Sequence, residues 1–393
     1  MTDLYTRRKL LERAAAGGAV LTVPGFLAAC GGSGKKAAAT AASSSHKLAK
    51  TLRFSNWTLY MDTNNKKHTH PTLLQFQQKY GVQVQYTEDI NDNASFFGKI
   101  QGPLSRGQSI DRDLIVMTDN SRYPSLLIKK GWVEKLDKNA IPNIKNLQPA
   151  LQHPNWDPNR DYSLPWQSGM TGIAFNDKLS DPVLSIDDLF GNPKLKGKIT
   201  CLNEMADALS LVMLSNGDDP SNVTDKTFNR AIAKIKKAVD SKQIRQFTGN
   251  DYAPPLAKGD LAAAMSWSGD IAQIGNKHIH WNLATDGGDI WTDNMLIPKG
   301  ANVYTASVYM NFAYDPKIAA QIEGGDPKTG DTGVYYICPV VGAREVLLKK
   351  QPAIAKNALI FPTKKMLDNV HIFDAKALNN QKYLTVWQNL ISA

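Results

Sequence analysis

Read by the spacing of its apolar and polar positions, the chain alternates strand with helix from Leu52 onward. LRFSNW reads as a short strand running into a loop, and HPTLLQFQQKYG sets Leu73, Leu74, Phe76 and Tyr80 at helical spacing with Gly81 as a stop. VQVQYTE alternates as a strand, RDLIVMT is the continuous apolar run of a strand covered on both faces, and YPSLLIKKG reads as a helix ending at Gly131. A second series begins after YSLPWQSGMTGIAFN. GKITCLN is a strand, ADALSLVMLSNG a helix, and DLAAAMSW another buried strand. Between the last two, DKTFNRAIAKIKKAVDSK repeats Phe228, Ile232, Ile235 and Val239 along one helical face. This alternation argues for an α/β fold with mainly parallel sheet, and two separately started series imply two lobes. No internal repeat of solenoid period is present. Sheets of this kind bind ligands beyond the carboxyl ends of their strands, so the polar residues directly after each strand become the candidates.

The amino-terminal pattern differs from the rest. Arg7, Arg8 and Lys9 precede a short apolar stretch from Ala14 to Phe26, followed by Leu27-Ala28-Ala29-Cys30. A basic region, a short apolar region and small residues describe an export signal over residues 1–29. The stretch is much shorter than the roughly 20 residues of a membrane span. Leu-Ala-Ala-Cys resembles a bacterial lipobox, which makes Cys30 the expected lipidated residue. TRRKLLERA resembles a twin-arginine signal loosely enough to leave Sec export open. Residues 30–48 are low in complexity and read as a tether with a reach of roughly 20–25 Å. The expected location is outside the cytoplasm, on a membrane-anchored lipoprotein.

The formal net charge is +10 and falls by two when residues 1–29 are removed. The lysines are scattered and no nucleic-acid motif accompanies them, so the charge reads as solvated surface. Screening acts over about 8 Å, so local carboxylates rather than net charge decide which ions bind. Cys201 and Cys338 are the remaining cysteines. Whether they form one bridge or are each buried and inert stays open.

The strand ends carry a consistent chemistry. The first gives Trp57, Thr58 and Tyr60. The next two give Thr118, Asp119 and Asn120, then Asn203, Glu204 and Asp207. The last gives Trp267 and Asp270. In GGDIWTDNMLIP, Trp291 and Asp293 are two apart and share a face on a strand, setting an aromatic surface beside a carboxylate. Aromatic rings and carboxylates together suit an organic cation. Each residue also has an ordinary use: Glu204 and Asp207 as helix-start caps, Trp57 and Trp267 as core.

NWTLY, DLIVMTD, DPNRDYSLPW, WSGD, GGDIWTDNMLIP and YYICP, in that order, resemble landmarks of the spermidine/putrescine-binding family, the substrate-binding proteins of bacterial polyamine ABC importers. The resemblance implies a two-lobed periplasmic-binding-protein fold of type II, the venus-flytrap, with hinge strands crossing between lobes. Lobe 1 would comprise residues 49–169 plus 292–344, and lobe 2 residues 174–287 plus 349–393. The crossings would fall near Met170–Ile173, Gly288–Trp291 and Glu345–Leu348. It makes Trp57 and Tyr60 aromatic walls, Thr58 and Thr118 polar contacts, and Glu204 and Asp207 an acidic pair for an amino group. It adds Trp267 with Asp270, Trp291 with Asp293 as the anchor of an amine end, and Tyr336 from a hinge strand. It also implies a monomer that serves a permease and an ATPase and uses no cofactor. The chain departs from the pattern in three ways. Asn120 stands where an aromatic wall is common, the acidic pair is reversed in order, and NVHIFDAKALNN offers no counterpart of a family glutamine.

Other functions fit less well. A ferric-ion site would use Tyr335 and Tyr336 together, but on a strand these face opposite ways. The H-x-H pairs at 68–70 and 278–280 lack an acidic cluster at ligand spacing, so no metal is expected. A sugar site needs fewer carboxylates. Glu204 and Asp207 resemble a glycosidase pair, but that leaves Asp270 and Asp293 unexplained. No nucleophile or nucleotide motif is present, so a binding protein rather than an enzyme is expected.

Overall fold

The computed structural model describes residues 46–392, so the signal, Cys30 and most of the tether lie outside the described residues. The strands, in chain order, are β1 (Thr51–Trp57), β2 (Thr63–Asn64), β3 (Gln83–Ile90), β4 (Leu114–Thr118), β5 (Ser163–Asn176) and β6 (Ile199–Leu202). They continue with β7 (Ile244–Thr248), β8 (Ala263–Trp267), β9 (Ile279–Asn282), β10 (Gly288–Leu296), β11 (Asp331–Thr332) and β12 (Val370–His371). β2 and β11 make a small ribbon, and the other ten strands form one sheet.

That sheet joins two parallel sets through two antiparallel strands. β3, β1 and β4 run parallel on one side; β8, β6 and β7 run parallel on the other. β10 pairs antiparallel with β4 and with β5, and β5 pairs antiparallel with β8 and β9. The two α/β series of the sequence are therefore halves of a single sheet. The register fixes where the halves meet. Thr118, the last residue of β4, lies opposite Asp293, which lies opposite Gln167 of β5. Trp267, the last residue of β8, lies opposite Thr171 of β5. The carboxyl ends of both parallel sets thus point at one five-residue stretch of β5, Gln167–Thr171, a span of about 13 Å at the usual strand rise.

β5 can serve both halves because all fourteen of its residues are buried. The expected passages at Met170–Ile173 and Gly288–Trp291 lie in β5 and β10. Glu345–Leu348 lie in a helix, Ala343–Lys350, rather than in a strand. Tyr336 is likewise not on a strand. It sits in an irregular segment held by single bridges from Ile337 to Ser168 and from Val340 to Leu147, because Tyr335 at φ 55° breaks the extended run.

The helices follow their sequence signals closely. Pro71–Tyr80 stops at Gly81 in the left-handed region, and Asp225–Asp240 starts at a Thr224 capping box. Met205–Ser215 is apolar nearly all round and packs on β5, β6 and β10 at the centre of the protein. Cys201 and Cys338 are both buried and unbridged.

Gly169 sits between the two ends, where the Trp291 indole of β10 lies across the β5 backbone. A Cβ there would come within 2.4 Å of the indole ring. Gly169→Ala is expected to lower stability by about 1–3 kcal/mol through this overpacking. The check is a urea midpoint that falls at unchanged slope.

Candidate functional site

A cavity of about 330 Å³ occupies the space over Gln167–Thr171 between the two sets of strand ends. Eleven of the twelve residues expected at the site line it: Trp57, Thr58, Tyr60, Thr118, Asn120, Glu204, Asp207, Trp267, Trp291, Asp293 and Tyr336. Asp270 lies one layer behind, and its position has a clear cause. Tyr336 donates to it at 2.6 Å, Tyr252 at 2.7 Å and Asn250 at 2.9 Å, so its oxygens are already engaged. It holds the Tyr336 ring against the cavity. Gly269 beside it makes room, because a Cβ there would fall 2.2 Å from that ring.

Five rings form a continuous wall. Trp57 meets Trp267 edge-on with centroids 6.1 Å apart, and Trp267 meets Trp291 edge-on at 6.2 Å. Trp291 lies 5.8 Å from Tyr336, which meets Tyr60 edge-on at 4.8 Å. Trp57 and Trp267 end β1 and β8, Tyr60 lies in the turn after β1, Trp291 lies within β10, and Tyr336 comes from the irregular segment. Tyr60 is aimed inward by Leu59 in the left-handed region at φ 59°.

Against this wall stand carboxylates at two ends. Asp293 accepts from Tyr60 Oη at 2.5 Å and from Thr118 Oγ1 at 2.6 Å. Burial pushes its pKa from an ordinary 3.8 up to about 7, more than those two hydrogen bonds pull it down. At the other end Asp207 accepts from Trp267 Nε1 and Asn120 Nδ2, each at 3.0 Å, and from Thr171 Oγ1. Burial raises its pKa as well. Glu204 accepts from the backbone N–H of Asn93 at 2.7 Å and from its Nδ2 at 2.9 Å, linking the two halves of the sheet. Burial first, then the charges of Asp92 and Asp207, lift Glu204 to about 8. Glu204 precedes helix Met205–Ser215 and makes no side-chain cap bond, while Asp207 in the first turn faces the cavity. The capping explanation for this pair therefore does not hold.

The cavity contains no lysine or arginine. Buried carboxylates without a cation are costly, and that cost is what raises the pKa values of this group. Trp57 Nε1, a donor, and Asn250 Oδ1, an acceptor, are also buried with no hydrogen-bond partner among the described residues.

Two residues that line the cavity, Asn93 and Asn250, and one behind Asn120, Asp289, lie outside the sequence expectation. Asn93 lies just past β3, at a strand end of the same kind as those that supply the other site residues. Asn250 follows β7, a strand too short and polar to stand out by pattern. Asp289 is two residues before Trp291, so the alternation that pairs Trp291 with Asp293 reaches back to it. It is fully buried, accepts from Ser210 Oγ at 3.1 Å and Asn120 Nδ2 at 3.3 Å, and is raised well above its usual range by burial and by Asp207. Among the described residues no group of three or more His, Cys, Asp or Glu is placed to hold a metal. His278 and His280 instead flank Asp177 at 2.9 and 2.7 Å on the surface.

Comparison with known proteins agrees with this architecture. Residues 72–325 match the model of the bacterial extracellular solute-binding protein family. The spermidine/putrescine-binding periplasmic protein of Escherichia coli K12 is 27% identical over 349 residues, covering 87% of this chain and 88% of that protein. The putrescine-binding periplasmic protein SpuD of Pseudomonas aeruginosa is 25% identical, covering 86% and 90%. Among solved structures, the TpPotD lipoprotein of Treponema pallidum superposes with a TM-score of 0.68 at 21% identity, covering 87% of this chain and all of that one. A Listeria monocytogenes chain reaches 0.72 at 24% identity, covering 88% and 98%. With two parallel strand sets joined through β5 and β10, and a match over most of its length, the chain belongs to the bacterial extracellular solute-binding protein family.

Proposed function

We propose that the protein is the extracytoplasmic receptor of an ABC importer and captures a polyamine such as putrescine or spermidine. The observation that carries this reading is the pairing of an aromatic wall with buried, uncompensated carboxylates at both ends of the cavity. One ammonium would be held by Asp293 beside Tyr60 and Thr118, the other by Asp207 and Glu204. Between them the methylene chain would lie against Trp57, Trp267 and Trp291. Asp270 orients Tyr336 rather than meeting the ligand. We assign residues 49–169 with 292–344 to one lobe and 174–287 with 349–393 to the other, with β5 and β10 passing between them.

Contacts from both sides favour closure around the ligand. Several bridges already span the cleft: Asn93 to Glu204, Asn120 to Asp207, and Gln273 Nε2 to the carbonyl oxygens of Leu59 and Val334, each at 2.8 Å. The partners are a permease and an ATPase, and the relatives' periplasmic designation supports export. We further infer that Cys30 carries the lipid anchor, on the strength of the Leu-Ala-Ala-Cys motif. Cys30→Ala is expected to release the protein from the membrane fraction, which fractionation and immunoblotting would detect; unchanged retention would exclude the anchor.

Calorimetric titration of ligand-stripped protein with putrescine and spermidine is expected to give saturable micromolar or tighter binding. Folded protein that binds neither would overturn the proposal. Asp293→Asn keeps the shape and removes the charge, and should weaken binding by about 2 kcal/mol, roughly thirtyfold.

The pH dependence follows from the raised carboxylates. The ligand requires ionised Asp293 and Glu204, whose pKa values are near 7 and 8 in the empty site. Affinity should therefore rise from pH 6 to pH 9, with protons released on binding. Stability of the empty protein should move the other way. Folded Asp293 keeps a proton that the unfolded chain loses near 3.8, so between that value and about 7 the native state binds more protons. Stability is then lost as pH rises through this window. Melting temperatures measured across it, with and without ligand, should diverge as pH increases.

A further inference from the structure

Helix Ser268–Ile274 follows β8 directly and turns one face toward the segments that carry Tyr60 and Tyr336. Two of its residues, about one turn apart, reach across the cleft. Asp270 accepts from Tyr336 Oη at 2.6 Å. Gln273, which is half-buried, donates from Nε2 to the carbonyl oxygens of Leu59 and Val334. Both bonds are 2.8 Å long and match the two donors of that amide nitrogen.

Both carbonyls belong to the backbone that delivers the site tyrosines. That of Leu59 is part of the peptide bond entering Tyr60, and that of Val334 is part of the bond entering Tyr335, next to Tyr336. Leu59 and Tyr335 are both left-handed, at φ 59° and 55°, a conformation that costs free energy in any residue but glycine. Tyr60 in turn donates to Asp293, and its ring meets Tyr336 edge-on at 4.8 Å. Gln273 thus holds the two backbone units that aim these rings, yet its own side chain does not line the cavity. The bridges from Asn93 and Asn120 differ, because they end on Glu204 and Asp207, which do line it.

We propose that Gln273 is a positioning residue that latches the closed cleft without touching the ligand, setting how long a ligand stays but not which ligand is chosen. This rests on the receptor reading and its lobe assignment, in which Gln273 lies on one lobe and Leu59 and Val334 on the other. In an open cleft, water satisfies the amide and both carbonyls. Closure replaces that water with two direct hydrogen bonds between neutral groups, a modest net gain. In the empty protein the gain is opposed by enclosing Asp293, Asp207 and Glu204 with no cation to match them. With a cation in place that opposition goes, and the latch favours the closed complex of every ligand by the same factor. Because the latch forms after encounter, it slows escape and leaves arrival unchanged.

The test is stopped-flow tryptophan fluorescence and calorimetry with putrescine and spermidine, on the native protein, Gln273→Ala and Gln273→Glu. Gln273→Ala is expected to raise the dissociation rate about tenfold for both amines, with association rates within about twofold, the size set by two hydrogen bonds between neutral groups. The ratio of the two affinities should keep its native value. Gln273→Glu has the same length but sets acceptors against acceptors, and should lose at least as much affinity. Each ligand-free variant should melt at the native temperature, because the contact belongs to the closed form, whereas a residue needed only for folding would lower it. Unchanged dissociation in both variants would overturn the proposal. Losses that differ between the two amines would overturn it too, by making Gln273 a ligand contact. A lower ligand-free melting temperature with native dissociation rates would assign Gln273 to the fold alone and overturn the latch. Native protein that binds neither amine would instead remove the polyamine reading, and this proposal with it.

Discussion

The fourteen-residue strand β5 must satisfy both halves of the sheet at once. One end pairs with β10 and, through it, with β4; the other pairs with β8 and β9. A strand buried on both faces and hydrogen-bonded on both edges tolerates almost no slip, because a one-residue shift would reverse every side chain. Its register therefore sets the distance between the two sets of strand ends, and with it the length of the cavity. Gly169 and Gly172 mark the cost of that arrangement: both leave room for a tryptophan ring that a side chain would displace. Trp291 over Gly169 becomes wall of the site, while Trp281 over Gly172 closes the far side.

The second organising fact is electrostatic. Asp293, Glu204, Asp207 and Asp289 are all driven toward their protonated forms by burial, against hydrogen bonds that pull the other way. The protein surrounds each with neutral donors, from Tyr60 and Thr118 to Asn120 and Ser210, rather than with lysine or arginine. A built-in cation would settle the charges permanently and leave nothing for a solute to do. Neutral donors hold the geometry and leave the charge to be matched from outside.

Much of this was legible in the sequence because it depends on local rules. Buried strands announce themselves by apolar runs, and the residues after them are delivered to the cleft by topology alone, which explains why Trp57, Thr118, Glu204, Asp207 and Trp267 meet. Trp291 and Asp293 follow from alternation on one strand. What escaped depends on distant partners. Asp270 carries the same sequence signal as Asp293, yet three donors from Asn250, Tyr252 and Tyr336 take up its oxygens. Tyr336 reaches the site from an irregular segment whose path is set by bridges to β5 and to Leu147. That the two strand series fuse into a single sheet is likewise invisible to periodicity, since it depends on which edges find each other.

The acidic pit lies inside a protein whose formal charge is +10. Within a screening length of about 8 Å of its surface, the molecule repels the class of solute that its interior attracts. Encounter and retention are thereby governed by different charges. Added salt weakens the outer repulsion but scarcely reaches the enclosed carboxylates, so it quickens capture while leaving escape nearly unchanged. This is the reverse of the usual behaviour of electrostatically steered binding, in which salt slows arrival. Near an anionic membrane the same exterior has another effect: it draws the whole receptor to the surface where cations are already concentrated.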